Sequence, residues 1–211
     1  MQAQFLTIEG GEGVGKTTNI QFVQSILEQH NIPFIQTREP GGTPLAEELR
    51  ELLLAKRDEP FDPVAELLLM FAARAQHVSQ VIKPALASGK WVICDRFTDA
   101  TFAYQGGGRQ LDWQVITQLE QSALNNFKPD KTLLLDVAPE IGMKRAAARS
   151  DFDRFESEQM AFFKRVRDAY LKRKNDDPER FLMIDASKDL VTVQSSIKQS
   201  LERFIKQVKH G

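Results

Sequence analysis

The sequence predicts an α/β protein built on a parallel sheet, and three observations carry that expectation. Short apolar runs alternate along the chain with longer segments of helical period. The apolar runs are near-continuous rather than alternating, as strands covered on both faces are. A glycine-rich loop sits between the first run and the first helical segment, where an open α/β sheet offers its strand ends to a ligand. Strand, helix, strand in this order implies right-handed crossovers.

The first strand is expected over residues 4–8 (QFLTI) and the first helix over 16–29, directly after the glycine-rich loop. A second strand, 33–37, leads through the turn Pro40-Gly41-Gly42 into a helix over 44–54. A long helix over 63–87 carries the most apolar stretch of the chain, 67–73. The third strand, 91–94, ends at Asp95 and Arg96, and a helix bearing Thr101, Tyr104 and Gln105 follows it. After three glycines come a helix over 113–126, a strand over 132–136 and helices over 139–149 and 156–175. A strand over 180–184 and a helix over 190–208 close the chain. Residues 146–156, with Arg149, Asp151, Asp153 and Arg154, are polar and lie between two helices, the character of a mobile flap. No repeat or linker divides the chain, so 1–211 reads as one domain.

Charge and composition exclude some functions. Lys and Arg number 28 and Asp and Glu 29, a net charge of −1. That argues against a dedicated polyanion binder with a basic surface, though not against a local patch. The longest apolar run, seven residues, is far short of the roughly 18 a membrane span needs. Met1 leads straight into the first strand without a basic and apolar leader. The one cysteine, Cys94, allows no intrachain disulfide, and His30, His77 and His210 lack metal-ligand spacing. A cytoplasmic protein with no nucleic-acid and no membrane partner is expected.

Gly10-Gly11-Glu12-Gly13-Val14-Gly15-Lys16-Thr17 fits the phosphate-loop pattern G-x-x-x-x-G-K-[ST], and Thr18 follows it. Its glycines permit positive φ and close approach of backbone N–H groups to a polyphosphate at a helix N-terminus. Lys16 is expected on the β- and γ-phosphates of ATP and the Thr17 hydroxyl on Mg²⁺. A signalling GTPase is disfavoured. No glycine has an aspartate three residues before it, and Phe127-Lys128-Pro129-Asp130 departs from the guanine-reading pattern at its first position. An acid at a strand end can hold Mg²⁺ or its waters; Asp95 and Asp136 both qualify by pattern.

Six motifs together resemble bacterial thymidylate kinase: EGGEGVGKTT over 9–18, TREPGGT over 37–43, FAARAQ over 71–76, DRF over 95–97, AYQGGGR over 103–109 and DRFE over 153–156. They occur in the family's order over nearly the whole chain. The resemblance implies a P-loop kinase fold with a five-stranded parallel sheet, helices on both faces and a lid, placed over about 142–156. It implies transfer of a phosphoryl group from Mg-ATP to dTMP by a homodimer, whose interface the apolar helix 63–87 would serve.

It also implies residue roles. Glu12 would contact the sugar 3′-hydroxyl side of the acceptor and help organise Mg²⁺. Arg38 would clamp the acceptor 5′-phosphate, Arg96 would bridge the two phosphates, and Asp95 rather than Asp136 would serve the metal. Arg74 would hydrogen-bond a thymine carbonyl, with Met70 or Phe71 against the base; the family's aromatic stacking position is Met70 here. Thr101 and Gln105 would line the N3 edge, and Tyr104 would wall the sugar where a ribose 2′-hydroxyl would sit. Some relatives carry an arginine after the loop acid, where Gly13 stands here. Lid arginines would replace it: Arg149 foremost, then Arg154 and Arg145. Arg109 reads as a surface charge of a hinge loop. The alternatives are another nucleoside monophosphate or deoxynucleoside kinase, or a non-catalytic nucleotide-binding module.

Overall fold

The computed structural model describes residues 2–56, 58–147 and 154–210. Five strands, β1 (Phe5–Glu9), β2 (Phe34–Arg38), β3 (Trp91–Asp95), β4 (Lys131–Asp136) and β5 (Phe181–Asp185), form one parallel sheet in the order β2-β3-β1-β4-β5. The first three run one residue past their expected ends. Backbone pairing holds the polar residues Glu9, Arg38 and Asp95 in the ladder, with Arg38 and Ile8 both in register with Asp95 and Glu9 with Leu134. Apolar pattern alone stops a strand too early where the functional residue is its last.

The helices are α1 (Lys16–Gln29), α2 (Pro44–Leu54), α3 (Pro63–His77), α4 (Lys83–Ala87), α5 (Thr98–Thr101), α6 (Trp113–Leu124), α7 (Pro139–Ala147), α8 (Met160–Asp176) and α9 (Leu190–His210). Thr43 caps α2 and Asp62 caps α3 with their side chains, each before a proline that suits a first turn. The single helix expected over 63–87 is interrupted: Val78–Ile82 is a π-helical stretch between α3 and α4. A second, Phe102–Gly108, continues α5. Such insertions change which residues share a face, and the second brings Tyr104 and Gln105 to the cavity described below.

Strand alternation divides the interior. Leu6, Ile8, Trp91, Ile93, Leu133 and Leu135 meet α1 and α9 on one face. Phe5, Val92 and Cys94 face Val78, Ile82, Phe97 and Leu124 on the other. That second face also buries polar groups. The Thr7 and Thr132 hydroxyls meet at 2.9 Å, and Asp99 takes hydrogen bonds from Arg173 and Arg180. Burial pushes the Asp99 carboxyl up, but the two guanidinium groups outweigh it and hold it below its ordinary range. Among the described residues, no helix is long and apolar enough to cross a membrane.

Candidate active site

Parallel strands bring their carboxyl ends to one edge, and there a cavity of about 250 Å³ opens. The phosphate loop forms its floor. Gly10, Gly13 and Gly15 have φ of 143°, 68° and 85°, and Gly15 starts α1 without a side-chain cap. The first N–H groups of α1 are left for an anion. Gly13 is required by contact as well as by conformation: a Cβ there would lie 1.8 Å from the Gly142 carbonyl oxygen of α7. Lys16 lies on the loop, its Nζ 3.5 and 3.4 Å from the Gly10 and Gly11 carbonyl oxygens. Burial and Arg96 both lower its ammonium pKa. Thr17 faces the cavity, while Thr18 is exposed and outside its wall.

Arg96 follows β3 with a left-handed φ of 68°, a conformation a long side chain adopts only when its surroundings enforce it. The enforcement is visible. Its guanidinium donates to Gly10 O at 2.9 Å, Tyr170 Oη at 3.2 Å and Glu12 Oε1 at 2.8 Å. The hydroxyl of Tyr104 donates to the same Glu12 oxygen, so the loop acid points inward rather than to solvent. Asp95 lines the wall beside Arg96, and its Oδ1 is buried with no hydrogen-bond partner among the described residues. An orphaned carboxylate oxygen near Thr17 and Lys16 fits a hard cation with oxygen ligands. Asp136, the other candidate by pattern, is instead engaged by both Nε and Nη2 of Arg167, at 2.8 Å each.

On the opposite wall Arg74 is almost wholly buried. Its Nε donates to Glu39 at 2.6 Å, Nη1 to Thr101 at 2.9 Å and Nη2 to the Phe97 carbonyl at 3.1 Å. Met70, one turn earlier, lines the cavity with Thr101, Tyr104 and Gln105. Phe71 does not. It packs with Leu67, Phe102 and Ile116 behind the wall, its ring under the Arg74 guanidinium, because helical spacing turns it a third of a turn toward the core.

The structure places three of the expected site arginines against protein partners and corrects the reading of a fourth. Arg38 is half-exposed and outside the cavity wall, its guanidinium held by Glu47 at 2.7 Å. Arg154 is held away from the phosphate loop by Glu66 at 2.7 Å and by the Leu53 carbonyl. Arg145 donates to the Ala186 and Ser187 carbonyls before α9. Arg109 is no surface charge: it pairs with Glu158 and stacks over Phe155 and Phe162. Arg149 lies outside the described residues.

The structure adds residues that sequence reasoning missed. Glu9 is fully buried, accepting from Phe97 N–H at 2.6 Å and the Tyr170 hydroxyl at 2.8 Å. Burial and Asp99 push its carboxyl up to about 8. Arg50 lines the cavity and donates to the Pro40 carbonyl. Glu39 accepts from Arg74 and meets His77 Nδ1 at 2.9 Å. One signal was available: the chain has two tyrosines, and both hydroxyls end on the Arg96 cluster.

A parallel five-stranded sheet with a phosphate loop on its central strand, two acids and a left-handed arginine at the strand ends defines a nucleotide-binding P-loop kinase. The family model for thymidylate kinase matches residues 8–197. Proteins named thymidylate kinase match nearly end to end. That of Teredinibacter turnerae is 55% identical over 205 residues, covering 97% of this chain and all of the relative. That of Hahella chejuensis is 56% identical over 197 residues, 93% of this chain and 95% of the relative. That of Pseudomonas putida is 51% identical over 209 residues, 99% of this chain and all of the relative. The chain belongs to the thymidylate kinase family.

Proposed function

We propose that the protein transfers the γ-phosphoryl group of ATP to the 5′-phosphate of dTMP, giving dTDP and ADP. The observation that supports this best is one cavity holding both a phosphate loop and, across Arg96, a buried Arg74–Thr101–Gln105 wall suited to a flat polar ring. A dTMP phosphate oxygen forms the new bond to Pγ as the bond from Pγ to the β-bridging oxygen breaks, and ADP leaves with that electron pair. The attacking oxygen is already anionic near neutral pH, so positioning and charge stabilisation carry the rate rather than a strong base. Lys16 and Arg96 stabilise the migrating group. Glu12, fixed by Arg96 and Tyr104, faces the acceptor sugar, and Tyr104 closes the side where a ribose hydroxyl would project. Thr17 and Asp95 would hold Mg²⁺, directly or through water; the ion would supply charge neutralisation of the phosphates. Arg149 is proposed as the lid residue that meets the γ-phosphate.

The lid, about 142–156, belongs to the same domain and closes to exclude water. A cytoplasmic homodimer is the setting we infer. Leu45 on α2 and Val64 and Leu68 on α3 are large apolar side chains left about half exposed, which supports a second copy covering them. A coupled assay of ADP release with dTMP, dUMP, dCMP, thymidine and the ribonucleotide decides the main reading. Turnover with dTMP above the others is expected; none with dTMP sinks it.

A further inference from the structure

Gln105 lines the cavity while almost entirely buried, and its amide is oriented from behind. Its Nε2 donates to Oε1 of Glu66 at 2.7 Å. Glu66, on α3, is fully buried. Its other oxygen pairs with Arg154 Nη2 at 2.7 Å and lies 3.6 Å from Arg109 Nε. A carboxylate faced by two guanidinium groups accepts hydrogen bonds and offers none, so only the NH₂ end of the amide can face it. The carbonyl Oε1, with no protein donor among the described residues, is the end left for the cavity. Arg74, whose guanidinium has only donors, lines the same cavity and is fixed by Glu39, Thr101 and Phe97.

We propose that Glu66 is a specificity-determining positioning residue: by fixing the polarity of the Gln105 amide it sets an acceptor beside the Arg74 donor, selecting a pyrimidine with a 4-carbonyl and an N3–H. A 4-aminopyrimidine presents the reverse pattern, an amino donor against Arg74 and a bare ring nitrogen against the Gln105 carbonyl. Turning the amide over would meet the second mismatch, but it would set the Gln105 carbonyl against a buried carboxylate oxygen, leaving two acceptors unpaired. Discrimination therefore resides in a residue that never touches the base. The proposal rests on the base lying against Arg74 and Gln105, as in the reading above.

The test compares dTMP with 5-methyl-dCMP, which has the same outline and differs only at N3 and C4. The wild type is expected to favour dTMP by roughly 10³-fold or more in kcat/KM, as sites built to hydrogen-bond do. Glu66→Gln gives Gln105 a partner that both donates and accepts, so the ratio should fall at least about tenfold, through KM more than kcat. Gln105→Leu should lower the ratio by itself, and adding Glu66→Gln to it should change nothing further. Because Glu66→Gln strands Arg154, the pair Glu66→Gln with Arg154→Gln is the second variant should the single one not fold. The same ratio is read from equilibrium dissociation constants, which separates the two readings. Absence of turnover overturns the proposed activity, whereas a binding or kinetic ratio unchanged by Glu66→Gln overturns the polarity relay alone. A further fall on adding Glu66→Gln to Gln105→Leu also overturns it.

Discussion

Gly142→Ala isolates how α7 touches the phosphate loop. A Cβ at Gly142 would lie 2.3 Å from the Glu12 carbonyl oxygen, and the reciprocal Cβ at Gly13 would lie 1.8 Å from the Gly142 carbonyl oxygen. Both obstacles are backbone, so no side chain can swing aside. Ordinary contact begins near 3.4 Å, so α7 or the loop must retreat by about 1 Å. A displacement of about 1 Å at reacting groups costs on the order of 10²-fold in rate, or about 2.7 kcal/mol. Intrinsic helix preference acts the other way, since alanine is favoured over glycine within a helix by about 1 kcal/mol. The two effects fall on different observables. Steady-state assays should show kcat/KM for ATP lowered about 10²-fold, while the thermal midpoint moves by a few degrees at most. A variant with unchanged kcat/KM and a raised midpoint would mean that helix preference acts alone and that the close approach does not shape the loop.

Lys16→Ala should lower kcat by roughly 10³-fold or more with an unchanged melting curve, measured by ADP release; retained turnover would remove the lysine from the chemistry. Tyr104→Phe takes a hydroxyl from Glu12, and about a tenfold poorer kcat/KM with dTMP is expected; equal rates would show the contact idle. Glu9 is pushed up to about 8 in the fold, from about 4.5 in the unfolded chain, so the stability it contributes is complete below 4.5 and is lost as pH rises through about 8. Glu9→Gln should flatten the fall in thermal midpoint between about pH 5 and pH 9, and parallel slopes in the two proteins would refute that origin. Arg180→Met leaves the buried Asp99 carboxylate with one arginine fewer and should cost about 3–5 kcal/mol in urea unfolding; a loss under about 1 kcal/mol would mean Arg173 suffices alone.

Much of the fold was legible because it is written in local signals. Near-continuous apolar runs marked all five strands, and the phosphate loop announced itself through glycine spacing. What failed has a common physical cause. A sequence shows that a residue can form a contact, not which of several partners is nearer. Arg38 was read as a phosphate clamp, Arg145 and Arg154 as lid arginines and Arg109 as a surface charge, and in the structure each is held by a carboxylate or carbonyl elsewhere in the chain. Arg109 meets Glu158 and Arg154 meets Glu66 across 49 and 88 positions, the second separation being 154 less 66. The choice between Met70 and Phe71 stayed open for a different reason. Met70 and Phe71 both share a face with Arg74 by helical spacing, and only tertiary packing decides which of them looks outward.

The same cause changes the meaning of the charge balance. A cluster of cations in one cleft was expected to be concealed by the near-neutral total. The cavity wall indeed carries Lys16, Arg50, Arg74 and Arg96, but it also carries Glu12, Glu39, Asp95 and Glu156, as many acids as bases among the described residues. Such a wall does not attract polyphosphate by bulk positive potential. It binds through oriented backbone N–H groups and through arginines whose directions are fixed by carboxylates, Arg96 by the partly buried Glu12 and Arg74 by the buried Glu39. The carboxylates lower the affinity of the cavity for anions in general, and Asp95 keeps a buried oxygen without a hydrogen-bond partner among the described residues. Near-neutrality is therefore a property of the site itself, and it makes geometry rather than charge the basis of selection there.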